Sequence, residues 1–112
     1  HPTTSAINTA IQMYSNLGLD VQITELDINV YPNDAAPAVE YSVISNQLRD
    51  AYVRYFQIFR QNRDRLSNVT LWGVTDAHSW LNNWPVRGRD NHPLLFDRSG
   101  LPKQAYFGVI NF

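Results

Sequence analysis

The chain has 112 residues, a net charge of −1 with its histidines neutral, and 44% hydrophobic residues. That length suits one small domain, and the balanced charge gives no electrostatic case for nucleic acid or an anionic membrane. No apolar run is long enough to span a bilayer, and the absence of cysteine excludes disulfides and thiolate metal sites. The first residues, HPTTS, lack the basic flank and apolar core of a signal peptide, as a processed secreted protein also would.

From His1 to Leu17 the spacing predicts a helix. Ile7, Ala10, Ile11, Tyr14 and Leu17 fall on one face, Thr3, Thr4 or Ser5 supplies a cap, and Gly18 ends it. Val21 to Val30 reads as a strand. Val21, Ile23, Glu25 and Asp27 share one face and Leu26, Ile28 and Val30 the other, a pattern expected of a strand covered on both sides. Two prolines, an Asn and an Asp in PNDAAP mark Asn33 to Pro37 as a loop. Val39 to Leu66 is again helical. Its stripe of Ile44, Leu48, Ala51, Tyr52, Tyr55, Phe56 and Phe59 reads as core, and polar residues cover the opposite side. Ser67 and Asn68 turn the chain into a second expected strand, Val69–Thr75. The Asn-, Asp-, Gly- and Pro-rich stretch from Asp76 to Pro102 is an irregular segment, long enough to suggest a functional role. Pro102 to Phe112 closes as a short helix with Ala105, Tyr106, Val109 and Ile110 apolar.

Strand, helix and strand at this spacing predict a right-handed βαβ unit with parallel strands, hence an α/β fold. Two parallel strands leave edges and faces that seek cover. The chain is therefore expected to be a piece of a larger α/β protein, or to need a partner.

Parallel α/β folds place their active sites at the C-terminal ends of the strands. Glu25 and Asp27 lie towards that end of the first strand, Trp72 lies in the second, Asp76 follows it, and Trp80 lies just beyond. Acids beside tryptophans suggest carbohydrate, because indole faces stack on sugar rings while carboxylates handle hydroxyls and the glycosidic oxygen. The plainer reading is a buried acid held by backbone donors, with tryptophans that only pack. Glu25 and Asp27 are about 6.6 Å apart along a strand at about 3.3 Å per residue. Both project from one side, whereas the two carboxylates of a glycosidase flank the scissile bond, at about 5–5.5 Å in a retaining enzyme. Glu25 therefore needs a partner from elsewhere, and Asp27 reads as a supporting acid.

Four segments in order, ITELD at 23–27, LWGVTDAHSWL at 71–81, PLLFD at 93–97 and LPKQAYFGVI at 101–110, resemble the C-terminal end of glycoside hydrolase family 10. The family consists chiefly of endo-1,4-β-xylanases on a (β/α)8 TIM barrel. The resemblance implies that residues 1–112 are the C-terminal segment of one catalytic domain: barrel helix 6, strand 7, helix 7, strand 8 and helix 8. It implies that Glu25 is the nucleophile of a retaining mechanism and that Asp27 supports it through a histidine of another strand. Trp72 and Trp80 would line the subsite where the sugar is cleaved. Arg87 and Arg89, in PVRGRDNHP, resemble a loop variant in which they contact substrate near the leaving side, with surface or loop-bracing roles as the alternative. His78 reads as a loop or hydrogen-bonding histidine, and Trp84 has no assured counterpart.

No Asn-Glu pair, the end of the family's acid/base motif on strand 4, occurs in the sequence. The resemblance thus implies a xylanase acting on xylan or xylo-oligosaccharides without metal or organic cofactor, completed by strands 1–6 of the barrel. The isolated chain is expected to be inactive, and to dock onto that remainder or self-associate. The alternative is a catalytically incomplete structural or complementing piece. A cellulase of the same barrel clan is a further reading, which the Trp72–Trp80 spacing argues against. A polymeric substrate implies an extracellular enzyme, although some members of the family act inside cells.

Overall fold

The other elements pack around helix α2, Tyr41–Gln61. In this computed structural model, which describes residues 1–111, α2 buries Ile44, Leu48, Tyr52, Tyr55 and Phe59. These recur every three or four residues, so one face turns inward. The helix stops five residues short of the expected Leu66. Asn62 takes the C-cap position and its side chain donates to Ile58 O at 2.9 Å and to Asn8 Oδ1 at 2.8 Å, which joins α2 to the first helix.

That first helix, α1, runs Thr4–Asn16. Of the three candidate caps, Thr3 is the one used: its hydroxyl accepts from Ala6 N at 3.1 Å. Gly18, with φ +80°, lies just beyond the C-cap in the left-handed conformation that glycine adopts without strain. The apolar stripe is covered only in part. Ile11 is buried, whereas Tyr14 and Leu17 are exposed.

Strand β1, Val21–Leu26, pairs in parallel with β2, Leu66–Leu71, in a two-stranded sheet. The βα2β unit is therefore present, with both strands displaced from expectation. β1 ends at Leu26 rather than Val30, because Ile28 N turns to Pro93 O (3.2 Å) and Val30 N to Asn91 Oδ1 (3.5 Å). β2 starts at Leu66, with Ser67 and Asn68 inside the strand, since pairing with β1 begins at Val21 opposite Leu66. It ends at Leu71 rather than Thr75. Gly73 has φ +138°, and a Cβ there would lie 2.8 Å from Leu94 Cδ1, so the chain bends where only glycine fits.

Residues 76–102 form a long connection with a 3₁₀ turn at Asp76–His78 and isolated bridges of Phe96 to Thr75 and Pro102. Helix α3, Gln104–Ile110, is shorter than the expected Pro102–Phe112, and Phe112 lies outside the described residues. It packs closely on α2: a Cβ on Gly108 would lie 2.8 Å from Val53 Cγ2. Ala105 and Val109 of α3 join Leu48, Tyr52, Tyr55 and Phe59 of α2, with Ile11, Val21, Ile28 and Leu95, in one core. Among the described residues, no helix is long and apolar enough to cross a membrane.

Candidate active site

The ladder between β1 and β2 continues one step past β2, where Trp72 N donates to Leu26 O at 2.9 Å. That bond sets the main chain of Trp72 beside the end of β1. The next residue of β1's chain, Asp27, reaches the other tryptophan: Trp80 Nε1 donates to Asp27 Oδ2 at 2.7 Å. Both indoles keep about half their surface open, Trp72 at 49% and Trp80 at 53% exposed. The structure thus brings three of the expected site residues, Asp27, Trp72 and Trp80, to the C-terminal ends of the two strands.

Glu25 stands on the same strand and is exposed, which corrects the expectation of a strand covered on both sides. The cause lies in the topology. β1 pairs only with β2, so its other edge is open among the described residues. A cleft of about 290 Å³ lies along β1 beside Glu25, bounded by His1, Pro2, Tyr55 and Phe59.

Asp27 differs from Glu25. It is partly buried, and burial pushes its carboxyl above the ordinary aspartate value of 3.8. The Trp80 hydrogen bond opposes that shift and the nearby Glu25 charge adds to it. Its observed partner is an indole N–H. The histidine of another strand that the resemblance implied is not among the three histidines of this chain: His1 reaches Asn29 O, His78 reaches Thr75 Oγ1, and His92 lies 3.8 Å from Asp76.

The two arginines separate. Arg89 is buried, 2% exposed, with its guanidinium 4.1 Å from the Tyr31 ring centroid and donating to Ala36 O (2.8 Å) and Asp34 O (3.1 Å). It braces the 32–37 loop, which removes it as a surface contact for substrate. Arg87 is exposed. Its neighbour Trp84 is exposed as well, on a loop closed by Asn83 N to Arg89 O (2.9 Å) and Gly88 N to Asn83 Oδ1 (3.0 Å).

The polar framework of the long connection was not foreseen in the sequence. Asp76 is fully buried. Its Oδ1 accepts from Leu94 N at 2.9 Å and its Oδ2 from Lys103 Nζ at 2.8 Å. Lys103 Nζ also donates to His92 O (2.9 Å) and Leu94 O (2.7 Å), so all three ammonium protons have acceptors. Burial pulls its pKa below the ordinary lysine value, against the raising effect of Asp76. Nearby, buried Asn91 donates to Asn29 Oδ1 at 2.9 Å, and its own N–H reaches Asn82 Oδ1 at 2.9 Å. This links the chain after β1 to the long connection. The available signals were a lysine within the apolar closing stretch and the density of asparagine in the connection.

Parallel strands joined through a helix, with acids and half-open indoles at their C-terminal ends, define an α/β segment whose strand ends carry an acid-and-indole site. The family described as glycosyl hydrolase family 10 matches residues 1–112. An endo-1,4-beta-xylanase of Geobacillus stearothermophilus is 42% identical over 116 residues, covering 98% of this chain and 34% of that protein. Endo-1,4-beta-xylanase A of Caldicellulosiruptor saccharolyticus is 39% identical, covering 96% of this chain and 32% of that one. Among solved structures, a family 10 protein of Paenibacillus barcinonensis superposes with a TM-score of 0.90 at 32% identity, covering 99% of this chain and 32% of that chain. A Thermobacillus composti family 10 xylanase gives 0.88 at 37% identity, covering 97% and 37% respectively. The chain belongs to glycosyl hydrolase family 10. It spans about a third of the length of these relatives and corresponds to the C-terminal part of a family 10 xylanase. The family's fold is a (β/α)8 barrel, of which this chain is a partial region of mixed helix and strand.

Proposed function

We propose that residues 1–112 form the C-terminal segment of one catalytic domain, and that they supply the nucleophile side of a retaining endo-1,4-β-xylanase site. In this reading α1, β1, α2, β2 and α3 are barrel helix 6, strand 7, helix 7, strand 8 and helix 8. The observation that carries it is the grouping of Asp27, Trp72 and Trp80 at the strand ends, with exposed Glu25 on the same strand. Glu25 Oε attacks the anomeric carbon, and the C–O bond to the leaving sugar breaks as a second carboxyl gives that oxygen its proton. Water then cleaves the glycosyl–enzyme ester with retention. The indoles of Trp72 and Trp80 stack on the sugar. Arg87, exposed on the connecting loop, contacts substrate near the leaving side.

The second carboxyl must come from outside this chain. The two glutamates here are Glu25 and Glu40, and Glu40 stands at the N-cap position of α2 without a side-chain capping bond. The remainder of the barrel is accordingly the expected partner, laid along the open edge of β1, and the isolated chain is inactive. Without that remainder, self-association through the same edge is the alternative. Since the polymeric substrate lies outside cells, the complete enzyme is read as extracellular.

In the complete catalytic domain, Glu25→Ala is expected to abolish xylan hydrolysis while xylo-oligosaccharides still bind. Turnover measured with xylan and affinity measured by calorimetry check it; wild-type turnover in the variant would refute the assignment.

A further inference from the structure

The two tryptophans of the proposed site are held by adjacent residues, the last of β1 and the one after it, in different ways. Leu26 fixes the main chain of Trp72 through a ladder bond. Asp27 fixes the side chain of Trp80 through its carboxylate. The mount beneath Asp27 is rigid: Leu26 before it is in the ladder, and Ile28 after it is buried, with its N–H on Pro93 O at 3.2 Å. The indole is the looser partner, half exposed and set just past the 3₁₀ turn. An N–H to carboxylate bond of 2.7 Å is short and directional, and stronger than a neutral one.

We infer that Asp27 is a positioning residue for the sugar-stacking platform, its carboxylate setting the plane of the Trp80 indole relative to the strand that carries Glu25. This deepens the xylanase reading and rests on it. The task given to Asp27 here is distinct from tuning the nucleophile. An acid acting only on Glu25 would change the chemical step, whereas an acid holding the indole changes how well the sugar is seated. The part of its loss that runs through Trp80 is therefore felt in KM, apart from any change in kcat through Glu25, and is felt only while Trp80 has an N–H to donate.

The test uses the complete catalytic domain with Asp27→Ala, Asp27→Asn and Trp80→Phe, and the double variant Asp27→Ala with Trp80→Phe. Two readouts are taken: KM and kcat on xylo-oligosaccharides, and the Trp80 indole N–H resonance in ¹⁵N-labelled protein. Losing a hydrogen bond to a charged group should raise KM roughly tenfold in Asp27→Ala. The double variant should be little worse in KM than Trp80→Phe alone. Asp27→Asn, whose amide oxygen still accepts, should recover most of the loss. The resonance should move upfield in Asp27→Ala and return part of the way in Asp27→Asn. Additive KM effects, or a Trp80 resonance unmoved by Asp27→Ala, would overturn the inference. If the wild-type domain does not hydrolyse xylan, the functional reading fails separately, and the resonance alone decides whether Asp27 holds the indole.

Discussion

Two aspartates follow the two strands, and their surroundings are opposite. Asp76, beyond β2, is sealed from solvent with both oxygens engaged, one by a backbone N–H and one by the Lys103 ammonium. Asp27, beyond β1, is partly open, holds one indole N–H, and lies near an exposed glutamate. A carboxylate sealed from solvent with both oxygens hydrogen-bonded is out of a substrate's reach, so Asp76 organises the chain. A half-satisfied one at an open edge, its carboxyl pushed up by burial, keeps capacity for further partners and stands where the proposed site opens. In the sequence, Asp27 lies towards the end of one expected strand and Asp76 just past the other, strands of similar character. What separates them is a lysine more than twenty residues away, brought in by the return of the long connection.

The buried acid is most vulnerable at Lys103. Lys103→Met leaves the Asp76 carboxylate buried without its counter-charge, and two carbonyls lose a donor. Removing one partner of a buried pair typically costs about 3–5 kcal/mol. Urea unfolding of the complete domain should show a loss of that order. Pairing it with Asp76→Asn, which removes the stranded charge, should return a large part. If Lys103→Met alone unfolds at the wild-type midpoint, Asp76 is not the sealed structural acid described above.

Gly73 sits between the two regions. It follows Trp72 of the site and lies against Leu94, whose N–H and carbonyl both belong to the Asp76–Lys103 cluster. Gly73→Ala brings a Cβ to within 2.8 Å of Leu94 Cδ1 at a φ of +138°, so it meets both a clash and a strained backbone. Strained backbone of this kind costs about 1–3 kcal/mol, a loss that urea unfolding should detect. Because the bend also aims Trp72, KM should rise in the same variant. A stability loss with unchanged KM would show that the cluster and the site are mechanically independent.

How much of this was legible in the sequence follows from the range of the interactions. The α2 stripe was readable because helical burial is a local periodicity, and Ile44, Leu48, Tyr52, Tyr55 and Phe59 turn inward as it requires. The parallel pairing was readable from element order. Strand limits were not. Ser67 and Asn68 look like a turn but enter β2, because the ladder is set by a strand some forty residues away in the chain. Glu25, Asp27, Trp72 and Trp80 could be named from their motifs, and their position at the strand ends followed. The bond between Asp27 and Trp80, the burial of Arg89 and the Asp76–Lys103 pair could not, since each joins segments whose approach depends on the path of the 76–102 connection.

The smallest expected effect concerns Asp27 and has the opposite sign to that at Lys103. With its folded pKa raised above the ordinary 3.8, the folded protein holds the Asp27 proton more tightly than the unfolded chain does. Its contribution to stability is therefore fully present below 3.8 and is lost as pH rises through the raised folded value. At neutral pH the ionised carboxylate is a small burden on the fold. Asp27→Asn should leave the neutral-pH unfolding midpoint unchanged or slightly higher, and should flatten the pH dependence of stability just above 3.8. Urea midpoints of both proteins across the acid range check this. A clear neutral-pH loss in Asp27→Asn would make Asp27 a structural acid like Asp76, and the distinction between the two strand ends would not stand.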